Sequence, residues 1–337
     1  MRALTRPHTL AWLWALLLAL PLASQAATEL ASWKNGPSRQ AIESFVAVVT
    51  KEGSRDFIPP AERIAVFDND GTLWSEQPLY FEVLFALDEV KRLAPRHPEW
   101  KERQPYKAVL EGDRTALAAA GEKGLMEMVG ATHTGITSDE FQNNAQRWLA
   151  SAVHPVTHKP YTEMVYQPML ELLAYLREHG FKTYIVSGGE VAFMRAFTEE
   201  VYGIPPEQVI GTTFASRFQE RDGKLSIMRL PTLTHNDDGP GKPESIQSII
   251  GRRPVFAFGN SDGDLQMLQW TMAGPGRRFA GLVHHTDGQR EWAYDRKSDI
   301  GRLDQALDQA RRNTWVVVDM AEEWTQIHPG AQTPSPP

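Results

Sequence analysis

Short apolar runs alternating with helix-periodic stretches constrain this chain more than any other feature of its sequence. The runs are RIAVFD (63–68), FKTYIVS (181–187), QVIGTTF (208–214), PVFAFG (254–259) and RFAGLVH (278–284). Between them, helical spacing is predicted over 167–179 (QPMLELLAYLREH, ending at Gly180), over about 190–202, and from Pro243 onward. Buried strands separated by helices imply parallel βαβ units. The expected fold class is therefore α/β, a doubly wound, mostly parallel sheet.

Two segments stand outside this alternation. Residues 38–51 place Ile42, Phe45, Val46 and Val49 on one helical face, with Ser38 as a cap. They predict a leading amphipathic helix, stopped by Pro59-Pro60. Residues 77–166 separate the first two strands and read as helices over 80–93, 115–129 and 138–151. A crossover needs only about a dozen residues, so this segment is predicted to be an inserted helical cap. The core then comprises 27–76 and 167–328. The Pro-rich tail, 329–337, is expected to be disordered.

The N-terminus has the composition of a secretory signal peptide. Arg2 and Arg6 precede an apolar run from Leu10 to Leu22, and Ser24 and Ala26 supply small residues for cleavage after about Ala26. The run is shorter than the roughly 20 residues a spanning helix needs. The expected location is the periplasm or the exterior, with no membrane span after cleavage. The whole chain has formal charge −7, and loss of two arginines takes it to about −9. An acidic chain without a basic stripe is a poor nucleic-acid binder. With no cysteine, disulfides, thiolate catalysis and Cys-based zinc sites are excluded.

Four clusters fall at strand ends or helix starts, where ligands bind in open α/β sheets. Asp68-Asn69-Asp70-Gly71-Thr72 follows the first run. Its two carboxylates can supply a nucleophile and a proton donor. Gly71 permits a tight turn, and Thr72 can bind phosphate or its own loop. Ser187-Gly188-Gly189 follows the second run and is predicted to open a helix, an anion-binding arrangement. Lys242 precedes Pro243 at a helix start and can neutralise a phosphoryl group. Lys224 is a weaker candidate, because GKL reads as a hairpin. Gly259-Asn260-Ser261-Asp262-Gly263-Asp264 supplies oxygen ligands for a hard cation such as Mg²⁺.

In this order and strand context, the clusters resemble the haloacid dehalogenase superfamily of phosphohydrolases over residue 63 to about 270. The resemblance implies a Rossmann-like core, Asp68 as nucleophile and Asp70 as general acid and base. It further implies phosphate binding by Ser187 and Lys242, and Mg²⁺ held by Asp68, Asp70 (through its carbonyl), Asn260 and Asp264. Asp70 favours phosphate chemistry over dehalogenation. A cap between the first two motifs resembles phosphoserine phosphatase and implies small phosphorylated substrates. One departure is Asn260, where the family usually has Asp; Asp262 is an alternative ligand.

The expectation is thus an exported Mg²⁺-dependent phosphomonoesterase working through an aspartyl-phosphate. The alternatives are a phosphotransferase with the same intermediate and a non-catalytic phosphate-ester binding protein. Trp74, Glu76 and Tyr80 are candidate leaving-group contacts, with Glu76 placed to meet an amine and Trp74 and Tyr80 also readable as packing. His284, His285 and Asp287 end the last run, as metal neighbours or loop caps.

Overall fold

Every residue of Ile64–Phe67 (β1) is buried, and its side chains alternate between two apolar clusters. A strand with no polar face needs cover on both sides. The computed structural model, which describes residues 29–330 with Asp222 excepted, places β1 at the centre of a seven-stranded sheet. The other strands are Lys182–Glu190 (β2), Val209–Arg221 (β3), Lys224–His235 (β4), Phe256–Gly259 (β5), Phe279–His284 (β6) and Val316–Asp319 (β7). Their order is β4-β3-β2-β1-β5-β6-β7. All neighbours are parallel except β3 and β4.

Helices Pro37–Thr50 and Gln167–Glu178 cover the face that carries Ala65 and Phe67, through residues such as Phe45, Val46, Leu172 and Leu176. Helices Leu265–Met272 and Gln305–Asn313 cover the face of Ile64 and Val66, through Leu268, Leu307 and Ala310. The doubly wound architecture is the expected one. Winding reverses beside β1, which has β2 on one side and β5 on the other. That reversal opens a crevice at the carboxyl ends of these strands.

Ahead of Gln167–Glu178, four further α-helices lie between β1 and β2: Phe81–Leu93, Tyr106–Glu111, Arg114–His133 and Ser138–Leu149. The first three share a small apolar cluster that includes Val90, Tyr106 and Met128, joined by Trp100, whereas Ser138–Leu149 packs Phe141, Ala145 and Trp148 into the main core. The helix expected over 115–129 is broken at Gly121, whose φ of 56° and ψ of −161° are not helical. Ser138–Leu149 starts on a reciprocal cap, with Thr137 Oγ1 accepting from the Glu140 amide and the Glu140 carboxylate accepting from the Thr137 amide.

Several expectations are corrected. Ser38 is not the cap of the leading helix; Gly36 is, and Pro37 takes the first helical position. That helix ends at Thr50, before Pro59-Pro60, and Pro60–Glu62 forms a 3₁₀ turn leading into β1. β2 does not stop at Ser187 but continues to Glu190, with its register against β3 broken between those residues. The helix expected over 190–202 is two short ones, Val191–Met194 and Thr198–Tyr202. β3 runs well past residue 214 and returns as β4, a hairpin of which only the Lys224 end was foreseen. Strand β7 was not foreseen. Both the leader (1–26) and most of the tail (331–337) lie outside the described residues. Among the described residues, no helix is long and apolar enough to cross a membrane.

Candidate active site

β1 ends by delivering Asp68 into the crevice. The Asp68 amide still donates to Phe258 O of β5 (3.0 Å), so the strand ladder fixes its backbone. The chain then turns sharply: the Thr72 and Leu73 amides both donate to Asn69 O, at 3.1 and 2.8 Å. Gly71 has φ +73°, and a β-carbon there would lie 2.0 Å from Asn260 Nδ2 and 2.3 Å from Glu76 Oε1. Only glycine fits this turn, on backbone conformation and on space alike.

Lys242 organises the centre. It is 2 % exposed, in the first turn of Gly241–Ser245, ahead of a π-helical turn at Ile246–Ile250. Its Nζ donates to Asp68 Oδ1 (2.6 Å), Asp264 Oδ1 (2.6 Å) and Val186 O (2.9 Å). Burial works against its charge, but the carboxylates of Asp264 and Asp68 outweigh it and raise its pKa above the ordinary lysine value. One ammonium shared by two buried carboxylates leaves excess negative charge. Burial and the Asp264 charge accordingly push Asp68 well above the usual carboxylate range, against the pull of Lys242.

Asp70 faces the same cavity. Its Oδ1 accepts from Trp74 Nε1 at 2.8 Å. Burial raises its pKa, and that hydrogen bond partly offsets the rise. Trp74, expected as a possible substrate contact, is instead 1 % exposed, stacked on Phe197 at 4.4 Å and packed on Phe81. Its role is to orient Asp70.

Asn260 lies at the end of β5. Thr72 Oγ1 lies 3.1 Å from Asn260 Oδ1 and 3.3 Å from Asp68 Oδ2, so both oxygens face one point. Asn260 Nδ2 donates to Glu76 Oε1 (2.7 Å), which also accepts from Tyr294 OH (2.7 Å). The amide is thereby oriented with its oxygen on the Asp68 side. Glu76 is 2 % exposed and committed to Asn260 and Tyr294, not free to meet a substrate amine. Burial raises its pKa well above the usual range.

Asp264 Oδ1 is taken by Lys242, and its Oδ2 accepts from the amides of Asn260 (2.9 Å) and Ser261 (3.0 Å). It positions the lysine and the loop instead of offering a free ligand. Asp262, the alternative ligand, turns away: its Oδ1 accepts from the amides of Asp304 (3.0 Å) and Ala306 (2.8 Å). The remaining oxygens of Asp68 and Asn260 are hard donors on one side of the cavity, a set that suits Mg²⁺.

Ser187 is 1 % exposed, and its Oγ accepts from Gly189 N at 3.2 Å. Ser187 and Gly188 line the cavity from an irregular strand end, not from a helix start as expected. Lys224 sits exposed at the hairpin turn, outside the cavity lining. His285 Nε2 donates to Gly71 O (2.7 Å), and its Nδ1 faces Glu291, so it braces the Asp68 loop. His284 pairs with Asp295 (3.4 Å), and Asp287 binds the amides of Gln289 and Arg290 and the Arg290 guanidinium.

The cavity has a volume of about 300 Å³. Asp68, Asp70, Ser187, Gly188 and Lys242 form its floor. Residues between β1 and β2 form the opposite wall, among them Tyr80, Glu82, Leu125 and Met126. Sequence reasoning missed several residues here. Glu82 Oε2 accepts from the Glu190 amide (2.8 Å), His133 Nε2 lies 3.6 Å from Glu82 Oε1, and Arg229 Nη2 pairs with Glu190 Oε2 (2.8 Å). Ligand atoms of Glu82, His133 and Glu190 lie within 4.8 Å of one another. Burial and the Glu190 charge raise Glu82 to about 8, while burial and Arg229 lower His133 to about 3. The one available signal was a charged residue between Phe81 and Val83 at an apolar helix start.

A family model described as haloacid dehalogenase-like hydrolase matches residues 65–269. No curated protein matches the sequence. Among solved structures, the chain is similar to a conserved protein of unknown function from Anaerococcus prevotii. That match has 16 % identity, TM-score 0.52, 83 % of this chain covered and 91 % of the other. A protein of unknown function from Bordetella pertussis matches at 14 % identity and TM-score 0.48, over 77 % of this chain and 99 % of its own. A probable phosphoserine phosphatase from Vibrio cholerae matches at 14 % identity and TM-score 0.36, over 73 % of this chain and 64 % of its own.

Proposed function

The chain belongs to the haloacid dehalogenase-like hydrolase family, and from that premise we propose that it is an exported, Mg²⁺-dependent phosphomonoesterase acting on small phosphate esters. The observation that carries this reading is Lys242 Nζ held 2.6 Å from both Asp68 Oδ1 and Asp264 Oδ1. It fixes a carboxylate and a cation side by side in the cavity lining, with a second carboxyl, Asp70, in the same lining.

Asp68 attacks phosphorus through the oxygen not engaged by Lys242. Asp70, whose burial favours the protonated form, gives its proton to the departing alkoxide. The bond from phosphorus to the ester oxygen breaks as the bond to Asp68 forms, leaving an aspartyl-phosphate and a free alcohol. Asp70, now ionised, takes a proton from water, which attacks phosphorus; the bond from phosphorus to the Asp68 oxygen breaks, releasing inorganic phosphate and restoring the Asp68 carboxylate. Lys242, Ser187 and the Gly188 backbone spread the charge on the phosphoryl oxygens, while Thr72, buried behind the cavity lining, holds its own loop through Asp68 Oδ2 and Asn260 Oδ1. Asp68, the Asp70 carbonyl and Asn260 would hold Mg²⁺, which when bound would neutralise charge on the phosphate.

The test is hydrolysis of p-nitrophenyl phosphate with Mg²⁺ and with chelator. We expect metal-dependent release of phosphate that Asp68→Asn abolishes. Full activity in Asp68→Asn would refute the scheme. Transfer of phosphate to an added alcohol in place of release would make the protein a phosphotransferase. Export rests on the composition of residues 1–26. A purified mature protein that retains Met1 would refute cleavage.

A further inference from the structure

The cavity wall carries six carboxylates and a single cation. The acids are Asp68, Asp70, Glu76, Glu82, Glu190 and Asp238; the cation is Lys242. Five of the acids are accounted for. Asp68 is paired with Lys242, Asp70 accepts from the Trp74 indole, and Glu76 accepts from Asn260 and Tyr294. Glu190 is paired with Arg229, and Asp238 is exposed to water.

Among the described residues, no lysine or arginine is paired with Glu82. Its Oε2 accepts from the Glu190 amide at 2.8 Å, which holds the carboxyl rigidly at the wall. The nearest ring nitrogen, His133 Nε2 at 3.6 Å, belongs to a fully buried imidazole beside the Arg229 guanidinium. Its location is informative. Glu82 Oε2 lies 3.2 Å, and Asp70 Oδ2 3.6 Å, from the point where a β-carbon on Gly189 would sit. Both carboxyls thus border the same space beside Gly189, where a leaving group protonated by Asp70 would also meet Glu82. Beyond it the wall is apolar: Val83, Leu125, Met126, Val129 and Phe214.

We propose that the substrate's leaving group is a short alcohol that carries an ammonium and no carboxylate, with the ammonium bound by Glu82. This rests on the phosphomonoesterase reading and names its substrate class. An ammonium supplies the charge and the donors that Glu82 lacks, in a site where an unpaired carboxylate is costly. A carboxylate on the same alcohol finds no free cation among the described lining residues. Arg229 is the nearest candidate, but its Nη2 is on Glu190, its Nε donates to His133 O (2.6 Å), and it is stacked over Phe141 at 4.1 Å. A divalent metal on Glu82, His133 and Glu190 is the competing occupant, and the Arg229 guanidinium already on Glu190 disfavours it.

The experiment compares kcat/KM for 2-aminoethyl phosphate, 2-hydroxyethyl phosphate and O-phosphoserine. A hydrogen bond to a charged group predicts that the amine exceeds the hydroxyl analogue by about 10- to 100-fold. O-Phosphoserine is expected to fall below the amine by a similar factor. Glu82→Gln should bring the amine down towards the hydroxyl compound. Equal rates in the native enzyme, a preference for O-phosphoserine, or an amine preference that survives Glu82→Gln would each overturn the proposal. So would Glu82-dependent binding of Zn²⁺ or Mn²⁺ alone at a second site. If no ester is hydrolysed, the phosphomonoesterase reading fails. Calorimetry with 2-aminoethylphosphonate against 2-hydroxyethylphosphonate then still decides the proposal, and equal affinities overturn it.

Discussion

Replacing Lys242 by methionine keeps the length of the side chain and removes its charge. Asp68 and Asp264 would then face each other, buried, with no ammonium between them. Removing one partner from a buried ion pair costs about 3–5 kcal/mol, because the other charge is left uncompensated. At about 2–4 °C per kcal/mol for a domain of this class, the melting temperature should fall by on the order of 10 °C. The loss should depend on pH. Burial and the Asp264 charge already raise the folded-state pKa of Asp68 in the native protein, and loss of Lys242 raises it further. A folded state that holds its proton more tightly than the unfolded chain loses stability as pH rises above the unfolded value, about 3.9. Lys242→Met should therefore be closer to wild type at pH 5 than at pH 8. Thermal melts of both proteins in chelator at the two pH values read this directly. A melting temperature unchanged at pH 8, or a deficit larger at pH 5, would refute the account of Lys242 as the counter-charge to both carboxylates.

Three other perturbations follow from single contacts. Glu76→Gln should weaken Mg²⁺ binding about 10- to 100-fold, as loss of a group supporting a metal ligand commonly does; calorimetry of the unreacted protein measures it, and an unchanged affinity would remove Glu76 from the site. Trp74→Phe keeps the ring packing but deletes the indole donor to Asp70 (2.8 Å). Because that bond lowers the Asp70 pKa, the pH–rate limb governed by Asp70 should move upward, and an unmoved limb would contradict the assignment. Gly71→Ala should abolish activity and lower stability by at least about 1–3 kcal/mol from backbone strain alone, since its β-carbon would meet Asn260 and Glu76; a soluble, active variant in a chemical denaturation assay would show that the loop can relax.

The central strands were legible because burial on both faces leaves them almost nothing but apolar residues, as in IAVF and FAFG. The hairpin was not. Beyond Phe214, β3 and β4 are largely exposed, so no solvent-shunning pattern marks them. Gly188-Gly189 were read as a helix start because glycines break strands. Here they make the irregular step that takes β2 from Ser187 to Glu190. Asp68, Asp70, Lys242 and Asp264 could be found because each directly follows a strand or opens a helix. Glu82, His133, Glu190 and Arg229 come from four separate elements, and no local spacing connects them. Trp74 takes the packing alternative, and Glu76 faces Asn260 instead of a substrate amine. Sequence distance from Asp68 says that a residue is close, while only the turn at Gly71 decides whether it faces substrate or supports its neighbours.

That turn also bears on the departure at Asn260. An amide offers the same oxygen as a carboxylate but can present its nitrogen instead, and it brings no charge. In this chain Glu76 addresses the first of these. Its Oε1 accepts from Asn260 Nδ2 at 2.7 Å, which commits the nitrogen and leaves the oxygen towards Asp68. Tyr294 OH donates to the same Glu76 oxygen at 2.7 Å and holds it in place. The arrangement requires Glu76 to approach the loop where a β-carbon at Gly71 would stand. Gly71, Glu76 and Asn260 therefore act as one unit: a side chain at Gly71 displaces both, and loss of Glu76 frees the amide to turn. An Asn260→Asp change would put two carboxyls in contact at that distance. Restoring the residue usual in the family should therefore weaken this site unless Glu76 is neutralised at the same time.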